Sequence, residues 1–162
     1  MLRIFFILTI LTLAFSCNSK TETEKVWVLD NEHVLTQAQI KTLDSLYQAH
    51  EKKTSNEIAL VTTPDYGTDT SILFFSVNFG RKYGVGKKEK NNGVVIAYCG
   101  AKHQTMISTG YGTEKILTDE IAKKIIDSLM IPQFKEGKIF DGLWEGSKAI
   151  VDFLEKPENK IK

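Results

Sequence analysis

The sequence predicts an α/β domain with a two-stranded hairpin at the centre of its sheet. The run 94–99 is apolar throughout, which is typical of a strand covered on both faces. A short turn follows, and then 103–109 alternates in polarity, as a strand with one drier face does. A helical pattern and a second apolar strand precede this hairpin, and helical patterns follow it. That order of elements indicates an α/β arrangement.

The part of the chain before the hairpin is predicted to contain a helix, a strand and a second helix. Thr36 is the predicted N-cap of a helix that ends near Lys53, and Gln39 completes its capping box. A buried strand at 57–63 follows. The aromatic-rich segment 72–83 has the spacing of a second helix.

Sequence patterns after the hairpin predict two further helices. Thr118 is an N-cap with acidic residues behind it, and Pro132 is expected to end that helix. The last helix is predicted at 139–154. Its glycines, Gly142 and Gly146, lie one turn apart, so we expect this helix to approach the sheet closely.

Composition and charge limit the function classes. The chain has 162 residues, of which 42% are hydrophobic and 25% charged, as in a single globular domain. The only charged side chain in the first sixteen residues is Arg3. Without these residues the chain has 20 basic and 20 acidic residues, so its formal net charge is zero. This balance gives no electrostatic argument for binding nucleic acid.

The N-terminus has the pattern of a bacterial lipoprotein signal. Arg3 precedes an apolar run that is too short to span a bilayer, which fits a signal peptide over 1–16. Ser16 and Cys17 resemble a lipobox, and this resemblance implies that Cys17 is lipidated and holds the protein on a membrane outside the cytoplasm. The alternative is an ordinary secretory signal. We predict a tether at 17–25, the domain at 26–155 and a disordered tail at 156–162.

Familiar catalytic signatures are missing from the sequence. It contains no P-loop, dinucleotide fingerprint, nucleophile elbow or zinc-ligand spacing. Cys99 lies in the apolar strand, where a buried structural thiol is expected. No catalytic residue can therefore be named.

Oxygen-bearing side chains in the predicted loops suggest a cation site. If these loops converge at one end of the sheet, their carboxylates and amides suit Ca²⁺ or Mg²⁺. Each residue also has a structural interpretation, as a turn former or a helix N-terminal charge. The predicted metal ligands are Asp30, Asn91, Asn92, Glu114 and Asp119.

Several segments together resemble the TPM-domain family. They are 86–95, 110–114, 117–119 and 132–146, in the family's order, within a match of about 26–154. The resemblance implies a three-layer α/β/α sandwich around a small mixed sheet. It also implies domains outside the cytoplasm, some of them linked to acid phosphatase activity, divalent-metal binding or upkeep of membrane complexes. Asn91 stands where family members often carry Asp.

Two hypotheses of function follow. The first is a lipid-anchored binding or maintenance module of the bacterial envelope, acting beside a membrane protein complex and ordering a divalent cation. The second is a metal-assisted phosphatase, in which the cation polarises a phosphoryl oxygen and activates water. There Asp30 or Asp119 would be ligand or base, and the lysines at 87, 88 and 90 would attract phosphate.

Overall fold

The computed structural model describes Lys25 and residues 27–161. The predicted signal peptide, Cys17 and all of the tether except Lys25 lie outside the described residues. A four-stranded sheet has the order β1-β2-β3-β4, with β1 (Val28–Asp30), β2 (Glu57–Thr62), β3 (Gly93–Cys99) and β4 (Gln104–Thr109). β1, β2 and β3 are parallel, and β4 runs antiparallel to β3. The sheet is therefore mixed, as expected.

Helices cover both faces of the sheet and confirm the three-layer α/β/α arrangement. The helices are α1 (Gln37–Thr54), α2 (Ile72–Tyr83), α3 (Asp119–Ile125), α4 (Ile131–Lys135) and α5 (Ile139–Leu154). On one face, Val94 and Ile96 join a core with residues of α1, α3 and α5. On the other face, Val95 and Ala97 form a second core with α2. Successive side chains of β3 point to opposite faces of the sheet and therefore enter the two cores in turn. This explains why the strand is apolar throughout.

The helix starts agree with the sequence prediction. Thr36 caps α1 in a complete capping box with Gln39, and Thr118 caps α3 by accepting from the Ile121 N–H. The short 3-10 turn Gly100–Lys102 joins β3 to β4. In the described part of the chain, no helix is long and apolar enough to cross a membrane.

The position of the hairpin within the sheet differs from the prediction. β3 is an interior strand, but β4 is at the edge and pairs only with β3 among the described strands. The hairpin is therefore peripheral. This position explains why β4 alternates in polarity while β3 is apolar throughout. An edge strand beside solvent can carry polar residues that an interior strand does not.

Pro132 does not end its helix, contrary to the prediction. A π-helical segment, Ile126–Met130, follows α3, and Pro132 then lies in the first turn of α4. α4 continues directly from the π-helical segment, since the Ile131 N–H donates to the Ile126 carbonyl, and Pro132 lies just past this change in hydrogen-bond spacing. The predicted link at 134–138 is consequently shortened to the last few residues before α5.

The C-terminal segment is more ordered than predicted. Pro157–Asn159 forms a 3-10 turn, and Asn159 Nδ2 donates to the Phe153 carbonyl at 2.8 Å. This side-chain bond holds the chain against the end of α5. The predicted disorder of 156–162 is therefore wrong for this turn.

The glycines of α5 face another helical segment rather than the sheet. A Cβ added at Gly142 would lie 2.4 Å from the Phe134 ring and 2.9 Å from the Met130 carbonyl oxygen, and one at Gly146 would meet Met130 Sδ at 2.6 Å. Close packing is thus required, as predicted, but its partner is the π-helical segment and α4.

We expect Gly142→Ala to destabilise the fold by about 1 kcal/mol net. Alanine gains about 1 kcal/mol of helix propensity, but overpacking against Phe134 and the Met130 backbone costs roughly 1–3 kcal/mol. Glu145→Ala, on the exposed side of the same helix, is the control and should stay within about 0.5 kcal/mol. Urea unfolding measures both changes. A stabilised Gly142→Ala variant would contradict the packing seen here.

Candidate functional site

The two polar turns at the open end of the hairpin lie side by side, as predicted. We call residues 91–93 and 110–112 the open end. The Gly110 N–H donates to the Gly93 carbonyl at 2.9 Å, and the Gly112 N–H donates to the Asn91 carbonyl at 3.0 Å. A Cβ at Gly112 would lie 1.9 Å from the Lys90 carbonyl oxygen, so only glycine permits this approach. The turns therefore form one rigid unit.

Asn92 is a structural residue of the open end. Its side chain is buried, and its amide donates to the Ser55 carbonyl at 2.8 Å and to Asn56 Oδ1 at 3.0 Å. Its Oδ1 accepts from the Lys87 N–H at 2.8 Å. These bonds join the end of α1, the loop before β3 and the hairpin. The predicted ligand oxygen of Asn92 thus already has a protein partner.

An ion-pair cluster reinforces the same end of the sheet. Glu57, nearly buried at the start of β2, accepts from Lys87 Nζ at 2.6 Å, Lys25 Nζ at 3.0 Å and the Gly86 N–H at 2.7 Å. Lys87 also reaches Glu51 at 2.8 Å. Burial acts to raise the pKa of Glu57, but these hydrogen bonds outweigh it and lower the pKa below its ordinary value.

Asp30 lies at the opposite end of the sheet from Asn91 and Asn92. It pairs with Thr62 at the end of β2, whereas Gly93 pairs with Glu57 at its start. Its carboxylate accepts from the N–H groups of Val34 and Leu35 at 3.2 and 2.9 Å, and from the Thr62 hydroxyl. Asp30 therefore shapes the turn into α1. The expectation that it shares one end with the other predicted ligands is wrong.

The remaining predicted ligands lie on the open-end side of the domain. Asn91, Glu114 and Asp119 all line the surface groove. The Glu114 N–H donates to the Gly110 carbonyl of the open end at 3.0 Å, and consecutive turns lead from there to Asp119 at the start of α3. The helical segment that begins at Asp119 reaches the other end of the sheet at Phe134, whose ring lies 4.9 Å from that of Tyr98. Asp119 and Asp30 are thus at opposite ends.

The five predicted ligands do not fit a single cation site. Asp30 is remote, Asn92 is fully bonded to protein, and the rest are surface residues around a groove. Across the described residues, no cluster of three or more His, Cys, Asp or Glu side chains is arranged to hold a metal ion. No step that needs a bound cation is therefore derived from these residues.

Asn91 and Asp119 border a wide groove on the surface of the domain. It has a volume of about 1750 Å³ and runs along the edge strand β4. α2 forms one wall with Leu73 and Val77, and the segment from α3 to α4 forms the other with Ala122 and Ile126. Leu73 is 45% exposed although it is apolar. The groove is a largely apolar channel, and its floor is the outer edge of β4, which pairs with no other described strand.

The groove was not predicted from the sequence. The available signals were the partly polar sequence of β4, which fits an edge strand, and the apolar residues left over on α2 once its core face is assigned. Phe74 is also exposed on α2, by 57%, but it lies outside the groove. Exposure alone therefore does not mark the site, and the strand order is needed to find it.

These features define a class: a three-layer α/β/α domain with a parallel core, an antiparallel edge strand and an open groove beside that strand. The TPM-domain family model matches residues 28–153. The chain belongs to the TPM-domain family.

Solved structures support this assignment. The N-terminal domain of a P. gingivalis protein is 30% identical, with a TM-score of 0.74, and the match covers 83% of this chain and 85% of that one. The BA42 protein from Bizionia argentinensis is 19% identical, with a TM-score of 0.63 and coverage of 82% and 97%. The N-terminal domain of a Corynebacterium glutamicum protein is 9% identical, with a TM-score of 0.61 and coverage of 83% of each chain. These last two show the fold alone. The comparison with curated proteins gives no match.

Asp30→Ala should destabilise the protein whether or not a divalent cation is present. The change leaves two backbone N–H groups and a hydroxyl without their acceptor, which costs roughly 1–3 kcal/mol. Asp119→Ala is the matched carboxylate control and should cost only about 0.3–1 kcal/mol, as a helix N-terminal charge. Urea unfolding in EDTA and in millimolar Ca²⁺ measures both. A loss at Asp30 that appears only with Ca²⁺ would show that Asp30 is a metal ligand.

Glu57→Gln should reduce the sensitivity of the fold to acid. Because the folded pKa of Glu57 lies below its ordinary value of 4.5, its contribution to stability is complete above about pH 5 and is lost as the pH falls through the folded pKa. The difference in free energy of unfolding between wild type and variant should therefore shrink between about pH 5 and pH 3. A difference that stays constant over this range would contradict the ion-pair assignment.

Proposed function

We propose that this TPM domain is a membrane-tethered binding module of the bacterial envelope, and that the groove along β4 holds a segment of its partner. The groove is the single observation that carries this proposal. On its walls Leu73 is 45% exposed and Val77 and Ile126 are partly exposed, and exposed apolar surface of this kind commonly marks an interaction site.

The size of the groove favours a macromolecular partner. Sites for small molecules usually enclose roughly 300–1,000 Å³. The groove has about 1750 Å³ and extends from the open end of the hairpin to Gln104 at the start of β4. A polypeptide segment fills such a channel better than a metabolite does.

The competing hypothesis, a metal-assisted phosphatase, has less support. That chemistry needs a cation held by converging ligands, which then polarises the phosphoryl group and activates water. Asp30 and Asp119, the two carboxylates available for ligand or base, lie at opposite ends of the sheet. Lys87, one of the candidate phosphate-binding lysines, is engaged by Glu51 and Glu57. The geometry therefore supports binding rather than hydrolysis.

The predicted anchor is compatible with the position of the groove. Lys25, where the predicted tether joins the domain, bonds to Glu57 beside the open end. From Cys17 to Lys25 an extended chain spans at most about 28 Å. With Cys17 lipidated, the open end would stay near the membrane and the groove would be within reach of proteins embedded in it.

Site-specific photo-crosslinking in the native host tests the binding role. A benzoylphenylalanine at position 73 should give a discrete crosslinked protein, because Leu73 lines the groove. The same group at position 74 is the matched control, because Phe74 is at least as exposed on the same helix but lies outside the groove. Crosslinking at both positions, or at neither, would contradict the proposal.

Two further measurements test the lipid anchor and the phosphatase hypothesis independently of the crosslinking result. Cys17→Ser should release the protein from the membrane fraction and abolish the crosslink at position 73, because the partner is then out of reach. The purified mature chain should not hydrolyse a chromogenic phosphate ester above background with Mg²⁺ or Ca²⁺. Metal-dependent turnover that Asp119→Ala abolishes would overturn the binding role in favour of phosphatase activity.

A further inference from the structure

We infer that the groove binds an extended polypeptide segment that adds to β4 as a fifth strand of the sheet. The inference rests on the proposed function, since it names how the partner is held. It is carried by the direction of the backbone groups of β4, the shape of the groove walls and the location of charges around them.

The backbone of β4 directs a row of hydrogen-bonding groups into the groove. The Gly110 N–H donates to the Gly93 carbonyl, and the next pair in the register is Thr109 with Val94. Pairs in an antiparallel ladder alternate between hydrogen-bonded and non-hydrogen-bonded. The N–H and C=O groups of Thr105, Ile107 and Thr109 consequently point away from β3. Within residues 27–161, no protein group pairs with them.

A strand placed beside β4 would satisfy these groups at little cost to the domain. An unpaired edge is a template for pairing with another chain, and main-chain hydrogen bonds then supply affinity. Neighbouring strands lie about 4.8 Å apart, and successive side chains point to opposite faces. Alternate residues of the added strand would therefore contact the two different walls of the groove.

The two walls offer apolar contacts to both sets of side chains. On the α2 side, Leu73 and Val77 lie beside the channel, and on the other side the partly exposed Ile126 and Ile131 do. Specificity in strand addition comes from such contacts with alternate side chains. The groove thus selects a strand with apolar residues on both faces.

The charges around the groove lie mainly at its mouths. Near the open end are Arg81, Lys88, Glu114 and Asp119, and at the other end is Lys135. In the middle, Lys123 and Asp127 pair with each other, which leaves that section without net charge. The complementary segment is therefore apolar at its centre and charged at its ends.

The occupant is a segment of another polypeptide rather than this chain's own tether. The tether joins the domain at Lys25, which bonds to Glu51 and Glu57 on the β1 side of the open end, and Glu57 begins β2, two strands away from β4. The sequence from Asn18 to Glu24 is also wholly polar and does not match the apolar walls. The chemistry of these tether residues does not suit the groove.

A second copy of the domain does not fit the groove as a single strand does. Helices flank β4 on both faces, and α2 and the segment from α3 to α4 line the same channel above it. Another copy would bring the same helices on both faces of its own β4, so two sets of helices would compete for the space beside the channel. An isolated extended segment carries no such helices.

Selection from random 12-residue peptides displayed on phage, followed by synthesis of the most enriched peptide, tests the mode of binding. N-methylation of this peptide at one residue at a time should weaken binding at least tenfold at alternate positions and have little effect between them. Amide hydrogen exchange of Ile107 should be fast in the free protein and protected in the complex. Uniform sensitivity to N-methylation, or no protection at Ile107, would overturn strand addition.

Variants of the protein provide the matched control. Thr109→Pro removes an N–H that points away from β3, and proline is tolerated on an edge strand at such a position. It should weaken peptide binding at least tenfold, while Thr109→Val, which keeps the N–H, should bind within twofold of wild type. Equal binding by both variants would overturn the inference.

Failure of this inference is distinguishable from failure of the proposed function. If no peptide is selected, or selected peptides bind without the alternating pattern, strand addition is wrong. A crosslink at position 73 and not at position 74 would then still show that the groove is the binding surface. If that crosslink is also missing, the proposed function fails as well.

Discussion

The buried side chain of Asn92 is the interaction on which the candidate site depends. One amide joins the end of α1, the loop after α2 and the start of β3 through three hydrogen bonds. A buried polar group of this kind is costly unless every partner is present, so it specifies a single arrangement of the three segments. Glu57 and its lysines support the same junction from the neighbouring strand. The position of the hairpin, and hence of β4, follows from this junction.

Once the hairpin is fixed, the groove is a consequence of how the helices are distributed. α2 covers one face of the sheet near β3 and β4, while α1 covers the other face near β1 and β2, and α5 packs between α1 and the segment from α3 to α4. The segment from α3 to α4 reaches over the β4 side and is held against α5 by the close contacts at Gly142 and Gly146. Both walls therefore extend past an edge strand that has no neighbour on its outer side among the described strands.

Local features of the fold were predictable because local chemistry determines them. The caps at Thr36 and Thr118 satisfy backbone groups within one turn, and the apolar run of β3 reports burial on both faces. The close packing required at Gly142 was also readable, although its partner was not. The continuation of the helix past Pro132 was missed, because a π-helical segment depends on packing that a single proline does not reveal.

The error over Asp30 has an instructive cause. Helices connect β1 to β2 and β2 to β3, and a strand–helix–strand connection within one sheet produces parallel strands. The C-terminal end of β1 and the N-terminal end of β3 must then lie at different ends of the sheet. This arrangement separates Asp30 from Asn91. The sequence contained this information, but grouping residues by their ligand chemistry ignored it. The groove was not predicted for a related reason. Side-chain chemistry identifies carboxylates and amides as candidate site residues, but the outward N–H groups of Thr105, Ile107 and Thr109 belong to the backbone. Their direction is known only once the strand order is known.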